Sequence, residues 1–506
     1  MITLTIDNKE IQAPEGSTIL EAAQKEGIHI PTLCFAKDLK PSTSCMVCVV
    51  RVEGLKTLVP ACGTRVAENM RVVTCNDEIQ KARTAAIELL LSDHIGDCLG
   101  PCMVGCPAKM NIPLMIRQIA AGDFAAAIQT VKKDIPLPAI LGRICSAPCE
   151  KVCRREQADA AVSICLLKRF VADMDLASSS PYRPHCAAPT GKKTAIVGAG
   201  PTGLSAAYYL KHAGIDCSVY DDHDHPGGSL RYADMDRNVL PFEIIEKEIA
   251  QIAALGIDFH GNIFVGKDVS MEELKSQYNA VLLATGTPEG DKIQANRPGY
   301  LTSERAVFAA GGCIGSRNLC IRRIADGKEA ALSIQSFLLG GTIAPKPDYN
   351  HRVGKLQPAE LAIFIEQTVD TVRQEPKTLN GLTLEQAQAE AARCLHCDCR
   401  KADNCRLRDL AAELDARQRT FQGEKKLFQQ ITEHEQILFE PGKCIQCGLC
   451  IQVAQNQGED IGLSFQGRGF DEKIVVPLDK SFACGLTKAA EKCVKVCPTG
   501  ALAMKK

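Results

Sequence analysis

Ser92–Pro107 reads SDHIGDCLGPCMVGCP, which sets His94, Cys98, Cys102 and Cys106 four residues apart with a proline after the last cysteine. This run fits one metal site with a histidine ligand, part of a larger arrangement, or a group of disulfide cysteines. The choice among them depends on what the remaining cysteines of the chain do.

The chain has 506 residues, enough for several domains, and 26 of them are Cys. Lys plus Arg number 59 against 60 Asp plus Glu, so no bulk charge points to nucleic acid or an anionic membrane. Trp is absent and aromatic residues make up only 5%, which leaves no stacking platform for bases. A disulfide scaffold requires secretion and usually a short chain. The start, MITLTIDNKEIQAPEG, alternates apolar and polar residues like a strand and lacks the features of a signal peptide. No apolar run reaches the length of a membrane span. Most cysteines stand in C-x2-C and C-x3-C groups, the spacing at which one loop collects metal ligands. The expectation is a cytoplasmic, reduced, metal- or iron–sulfur-binding protein.

Along the chain, the expected organisation is multidomain α+β and α/β. Residues 1–78 read as a β-grasp [2Fe–2S] ferredoxin-like domain, with a Ser/Thr cap and Glu21 opening the helix STILEAAQKEGI. Residues 79–185 read as a helical domain with cysteine groups at both ends, and 190–341 as a single Rossmann-type domain. A linker with helices (342–393), a CxxCxC cluster segment (394–435) and a bacterial ferredoxin-like 4Fe–4S domain (436–506) follow.

In the first domain Cys34, Cys45, Cys48 and Cys62 give C-x10-C-x2-C-x13-C. Four thiolates on loops beside a small sheet suit a [2Fe–2S] cluster with two ligands on each iron, and also satisfy structural zinc. The region resembles the [2Fe–2S] domain that opens the large iron–sulfur subunit of complex I and related hydrogenase and formate dehydrogenase subunits. Cys75 lies outside the motif and reads as an ordinary half-buried strand residue.

TAIVGAGPTGLSAAYYL is an apolar strand, a G-x-G-x-x-G turn at Gly198, Gly200 and Gly203, and a helix. The glycines allow a tight turn and bring N–H groups toward a pyrophosphate at the helix N-terminus. The next strand ends in Asp221, where a carboxylate can hold ribose hydroxyls. HPGGSLRY and AVLLATGTP follow. The set resembles the flavoprotein family of the glutamate synthase small subunit and the N-terminal half of dihydropyrimidine dehydrogenase. That resemblance implies FAD, with Gly227, Gly228 and Arg231 along the cofactor and Ala284, Thr285 and Gly286 beside it, and with Gly311 near the return strand. His223 and His225 read as solvated loop residues. The family inserts a second, NAD(P)H-binding Rossmann domain after the "ATG" strand; here about 20 residues separate Gly286 from AVFAAGGCIG, too few for a βαβ unit. Gly312 stands where the family has an Asp near the flavin ribityl chain. The implied protein has a flavin without its own hydride-donor site.

Cys394, Cys397, Cys399 and Cys405 fall within twelve residues and fit one [4Fe–4S] cluster or one zinc. The segment KCIQCGLCIQVAQN…CVKVCPTGAL resembles a two-cluster ferredoxin that has lost ligands. Its first run keeps Cys444, Cys447 and Cys450 but has Ala454 in fourth place, and Cys497 from the second run completes that cluster. Thr487 and Ala490 replace ligands of the other cluster, leaving Cys484 and Cys493 unassigned.

Around the opening stretch two resemblances meet. RTAAIELLLSDHIGDC is similar to the complex I subunit segment that carries a histidine-ligated [4Fe–4S] cluster. GCPAKMNIPLMIRQIAAGDFAAAI is similar to the glutamate synthase small-subunit family, where such a run joins a downstream cysteine group to hold two clusters. The downstream group here is Cys145, Cys149 and Cys153, with Cys165 in place of a family cysteine whose position is taken by Leu141. The resemblance implies His94, Cys98, Cys102 and Cys153 for one cluster and Cys106, Cys145, Cys149 and Cys165 for the other. The expected inventory is one [2Fe–2S], about four [4Fe–4S] and FAD. The expected role is an electron-transfer subunit of an anaerobic oxidoreductase. Its partners would be an NADH-dehydrogenase-like flavoprotein and a catalytic subunit such as a hydrogenase or formate dehydrogenase, with no nucleic acid and no membrane span. A self-contained NAD(P)H-dependent reductase is the alternative.

Overall fold

The alternation at the amino terminus becomes a hairpin, β1 (Ile2–Ile6) against β2 (Lys9–Ala13), with Leu4, Ile6, Ile11 and Ala13 turned to the core. With β3 (Val49–Val52), β4 (Val59–Pro60) and β5 (Arg71–Val73) it forms a five-stranded sheet of order β2-β1-β5-β3-β4. The helix Ile19–Lys25 starts in the capping box expected from the sequence: Thr18 and Glu21 each satisfy the other's backbone N–H. It buries Ile19 and Leu20 completely against the sheet. Asn76 caps the following helix, Asp77–Ser92.

The structure is a computed structural model that describes residues 1–286, 292–315, 319–341, 348–369, 371–376, 380–425 and 428–505. Residues 342–347, where the expected linker begins, lie outside this set. The chain divides into two compact units. The first combines Met1–Leu99, Pro347–Ile363 and Cys397–Lys506; the second combines Gly100–Lys346 and Phe364–His396. The division falls between Leu99 and Gly100, inside the cysteine run and inside the segment expected to be one helical domain. The physical reason is the apolar face of Asp77–Ser92, whose Ile87 and Leu91 pack with Leu33, Val47, Leu407, Leu410 and Leu449 of the first unit.

In the second unit, short helices (Ile112–Ala120, Phe124–Lys132, Pro138–Ile144, Ile164–Ala177) surround an apolar core. Five strands follow: β6 (Lys193–Val197), β7 (Asp216–Tyr220), β8 (Asp258–His260), β9 (Ala280–Leu283) and β10 (Val307–Ala309). They make a fully parallel sheet of order β10-β9-β6-β7-β8, a Rossmann-like arrangement. Helices Pro201–His212 and Cys320–Leu338 pack so closely that a Cβ on Gly327 would lie 2.2 Å from the Thr202 carbonyl oxygen. Two buried charges tie the helical part to the rest of the unit. Glu248 accepts from the N–H groups of Ala139 (2.7 Å) and Ile140 (2.8 Å), occupying orphan donors at the start of Pro138–Ile144. Arg393 bonds Glu390, Asp159 and the carbonyls of Ala160 and Thr371, which fixes the 390s against the 159–163 segment.

The carboxy-terminal part of the first unit holds β11 (Ile437–Phe439), β12 (Ser464–Gln466), β13 (Lys473–Val475) and β14 (Leu502–Met504). Strands β11 and β14 pair antiparallel, as do β12 and β13. Helices Leu449–Asn456 and Ala490–Val496 pack together beside them. Among the described residues no helix is long and apolar enough to cross a membrane.

Candidate functional site

The first quartet comes together as two pairs. Cys34 and Cys45 are hydrogen-bond partners, and so are Cys48 and Cys62; all four are buried on loops next to β3 and β4. The Cys45 bond pulls Cys34 down to about 5 and the Cys62 bond pulls Cys48 down to about 7, while Cys45 and Cys62 are raised. Two pairs of thiolates are the ligand arrangement of a binuclear cluster, one pair to each metal. Cys75 stands apart, exposed just past β5 and bonded by Gln80 at 3.3 Å, so it is not the half-buried strand residue expected.

The second quartet, Cys444, Cys447, Cys450 and Cys497, lines one small cavity closed by Phe439, Ile474 and Leu502. Burial pushes Cys447 up to about 12 and raises Cys450 further, with the other three thiols adding repulsion. Cys493 is fully buried in the adjoining core with its thiol on the Cys450 carbonyl, while Cys484 is exposed beside Ser481. The first and second quartets are linked within their unit by Ser42, whose hydroxyl donates to the Cys447 carbonyl at 2.6 Å.

The third quartet belongs to the second unit. Cys106, Cys145, Cys149 and Cys165 gather around Lys168, a fully buried ammonium that they hold protonated and that reaches the Cys165 sulfur at 3.5 Å. Cys145 is pulled down to about 7 by its hydrogen bond with Cys165. Glu150, which accepts from the Cys165 N–H, is ion-paired to Arg373 at 2.8 Å. Nothing in the cysteine spacing announces Lys168; its position one helical turn after Cys165 is the only trace in the sequence.

The remaining predicted ligands fall on both sides of the division between the units. His94 and Cys98 are in the first unit with Cys397, Cys399 and Cys405; Cys102, Cys153 and Cys394 are in the second. The Cys399 N–H donates to the Cys98 carbonyl at 3.2 Å, and the Cys98 N–H donates to the His351 carbonyl at 3.1 Å. Burial lifts Cys98 to about 11, with Cys399 adding to it, and lifts Cys405 to about 12, with Cys399 and Cys98 adding to it. Burial also holds His94 far below the usual histidine range, helped by His351 and Lys443. His351 and Lys443 were not singled out in the sequence.

In the second unit a cleft of about 880 Å³ opens at the carboxyl ends of the parallel strands, where such sheets bind ligands. Gly198, Gly200, Asp221, Gly228, Thr285 and Gly286 line it, together with Ile144, Cys320 and Arg323. Gly198 has φ +108°, and a Cβ there would lie 2.4 Å from the Ala284 carbonyl oxygen. Asp221 accepts from the Ala199 N–H at 2.6 Å, which holds its carboxylate at the turn. Gly203, Gly227, Gly311 and Arg231 stand outside the lining. Arg231 turns instead toward the Pro226 carbonyl and Glu246. A Cβ on Gly312 would fall 2.0 Å from Arg323 Nη1, so the guanidinium fills the space an Asp would need. His223 also lines the cleft, half exposed, stacked on Tyr232 at 4.1 Å and bonded to Asp221 at 2.9 Å. Burial works against its protonation, but the carboxylates of Asp221 and Asp222 prevail and raise it. The reading of His223 as only solvated missed this contact. β9 and β10 pair directly, and among the described residues there is no second parallel sheet.

Three family models match parts of the chain: a 2Fe–2S iron–sulfur cluster binding domain (residues 1–77), dihydropyrimidine dehydrogenase domain II with a 4Fe–4S cluster (93–180), and an NAD(P)-binding Rossmann-like domain (196–244). The chain is similar to NADPH-Fe(3+) oxidoreductase subunit beta of Geobacter sulfurreducens, at 37% identity over 37% of this chain and 28% of the relative. It is similar to NADP(+)-dependent formate dehydrogenase subunit beta of Moorella thermoacetica, at 37% identity over 37% of this chain and 29% of the relative. It is also similar to NAD-dependent dihydropyrimidine dehydrogenase subunit PreT of Escherichia coli, at 34% identity over 43% of this chain and 53% of the relative. The matches thus span between about a quarter and a half of these relatives' length. These similarities are those of an oxidoreductase component that carries a [2Fe–2S]-binding domain, a [4Fe–4S]-binding domain and a Rossmann-like domain.

Proposed function

We propose that the chain is an electron-transfer subunit of a larger oxidoreductase, relaying electrons through FAD and several iron–sulfur clusters. The relay runs between a nicotinamide-oxidising flavoprotein subunit and a catalytic subunit of hydrogenase or formate dehydrogenase type. FAD occupies the cleft at Gly198, Gly200 and Asp221, the [2Fe–2S] cluster the Cys34 quartet, and [4Fe–4S] clusters the Cys106 and Cys444 quartets and the remaining ligands. Flavin, once bound, exchanges two-electron for one-electron chemistry, and clusters carry single electrons.

The observation that carries this reading is the wall of the cleft. Ile144 lines it and Cys145, the next residue, belongs to the Lys168 quartet; Cys320, also in the lining, feels the Lys168 charge. A flavin and a cluster site therefore adjoin within one unit. The lone parallel sheet among the described residues favours a relay over a self-contained NAD(P)H reductase. The relatives' names, subunits of NADPH- and NADP-linked oxidoreductases, support the same reading.

The test is anaerobic purification with iron, zinc and flavin assays, followed by mixing with NADH or NADPH. About 18 iron and one FAD per chain are expected, with no rapid bleaching of the isolated chain. Fast stoichiometric reduction by NADPH would replace the relay with the self-contained reductase.

A further inference from the structure

We propose that His94, Cys98, Cys399 and Cys405 together hold one [4Fe–4S] cluster in the first unit, a site whose two halves are separated in the chain by the whole of 100–396. This deepens the electron-transfer reading and rests on it for the identity of the metal.

The backbone builds the site from three segments. The Cys399 N–H to Cys98 carbonyl bond (3.2 Å) joins the cysteines, and the Cys98 N–H is held by the His351 carbonyl (3.1 Å). His351 in turn fixes the loop before Cys98 by bonding the Gly96 carbonyl through Nδ1 at 2.8 Å. The Cys405 sulfur lies on the Pro498 carbonyl at 3.9 Å. Gly500 closes the other side: a Cβ there would lie 2.2 Å from the Cys399 sulfur. All three thiols and His94 are less than a tenth exposed.

His94 supplies the fourth donor. Its ring is buried, makes no hydrogen bond among the described residues, and packs edge-on to His351 with centroids 5.0 Å apart. Lys443 faces His94 as well as Cys98 and Cys399, which sets the imidazole at the same buried ammonium as those thiols. His351 is the other histidine present, but its Nδ1 is already committed to Gly96. Lys443 approaches from the third side; a Cβ on Gly96 would lie 2.4 Å from its side chain.

Three thiolates and an imidazole satisfy zinc as well as iron. The surroundings favour iron. Cys405 shares one apolar core with Cys34 and Cys45 of the first quartet and Cys447 of the second. A redox-silent metal would interrupt two electron-carrying sites that meet at that core, whereas a cluster connects them.

The experiment uses the whole chain, purified anaerobically and reduced, with iron, zinc and electron paramagnetic resonance measured. Cys98→Ser, Cys399→Ser and Cys405→Ser should each lose the same four-iron signal and about four irons, and the Cys98→Ser/Cys399→Ser double variant should lose no more. Additive loss of about eight irons and two distinct signals would overturn the shared site. A readout independent of those variants is nitrogen coupling in protein labelled with 15N-histidine. It should mark one four-iron signal, persist in Cys102→Ser and Cys394→Ser, and vanish in His94→Cys while the iron remains. Loss of the coupling in Cys102→Ser would also overturn it. One zinc with about fourteen irons would reject a cluster here and leave the relay intact; a chain without iron would reject both.

Discussion

Lys443 and Lys168 are both fully buried beside candidate cluster ligands, one in each unit, and they are neutralised in different ways. Lys443 forms an ion pair with Glu440 at 2.5 Å, itself buried, and also faces Cys399. Lys168 has the Cys165 sulfur at 3.5 Å, and the groups that hold it charged are the four thiols of its quartet. The difference teaches where each charge is used. A lysine paired to a carboxylate is a structural group whose field on a metal proposed beside it would be partly cancelled. A lysine balanced by the thiols alone would act on the metal proposed there.

The largest expected effect follows from the first case. Lys443→Met leaves Glu440 buried with, among the described residues, only Gln430 as a side-chain hydrogen-bond partner, and should destabilise the first unit by about 3–5 kcal/mol. Lys443→Met/Glu440→Leu should recover most of that. Anaerobic denaturant titrations of the three proteins check it, and an equal loss in the double variant would break the comparison.

Glu248 is the counterpart with opposite sign, a buried carboxylate neutralised by two backbone N–H groups. Burial raises it to about 7 against those bonds and the pull of Lys132 and Arg143. Because its folded value lies above the unfolded one, the folded state binds the extra proton between about pH 4.5 and 7. Stability from this group is therefore fully present below about pH 4.5 and is lost as pH rises through 7. The expected swing is about 3 kcal/mol, at about 1.4 kcal/mol per unit. Glu248→Gln should flatten the slope of stability against pH across that interval; an unchanged slope would assign it to other groups.

How much of this was legible in the sequence differs between the units. The Thr18–Glu21 cap, the strand alternation in β1 and β2, and the Gly198 turn are local devices with fixed spacings, and each appears where its residues stand. The thiols of Cys444, Cys447, Cys450 and Cys497 line one cavity, and those of Cys106, Cys145, Cys149 and Cys165 face one buried lysine. Regular four-residue spacing carries no sign that the chain changes unit after Leu99, so that His94 and Cys98 fall in one unit and Cys102 in the other. The apolar face of Asp77–Ser92 decides that, and its partners, Leu407 and Leu410, are more than 300 residues away. Charges such as Lys168, Lys443 and Glu248 were equally invisible, because a lone lysine or glutamate in a helix reads as solvated until its neighbours are known.

The smallest effect tests the second case most directly. Removing the Lys168 charge deletes a buried cation that favours the reduced, more negative state of the proposed cluster at Cys106, Cys145, Cys149 and Cys165. A loss of about 1–2 kcal/mol of that preference lowers the midpoint potential by about 40–90 mV for one electron. Lys168→Met should therefore shift one four-iron signal to lower potential in a redox titration, with the iron content and the other signals unchanged. Lys443→Met/Glu440→Leu, which removes a cation and an anion together, should shift its neighbour by less. If the two shifts are equal, the ion pair does not screen Lys443, and the distinction between a structural and a tuning lysine fails at the point where the structure draws it.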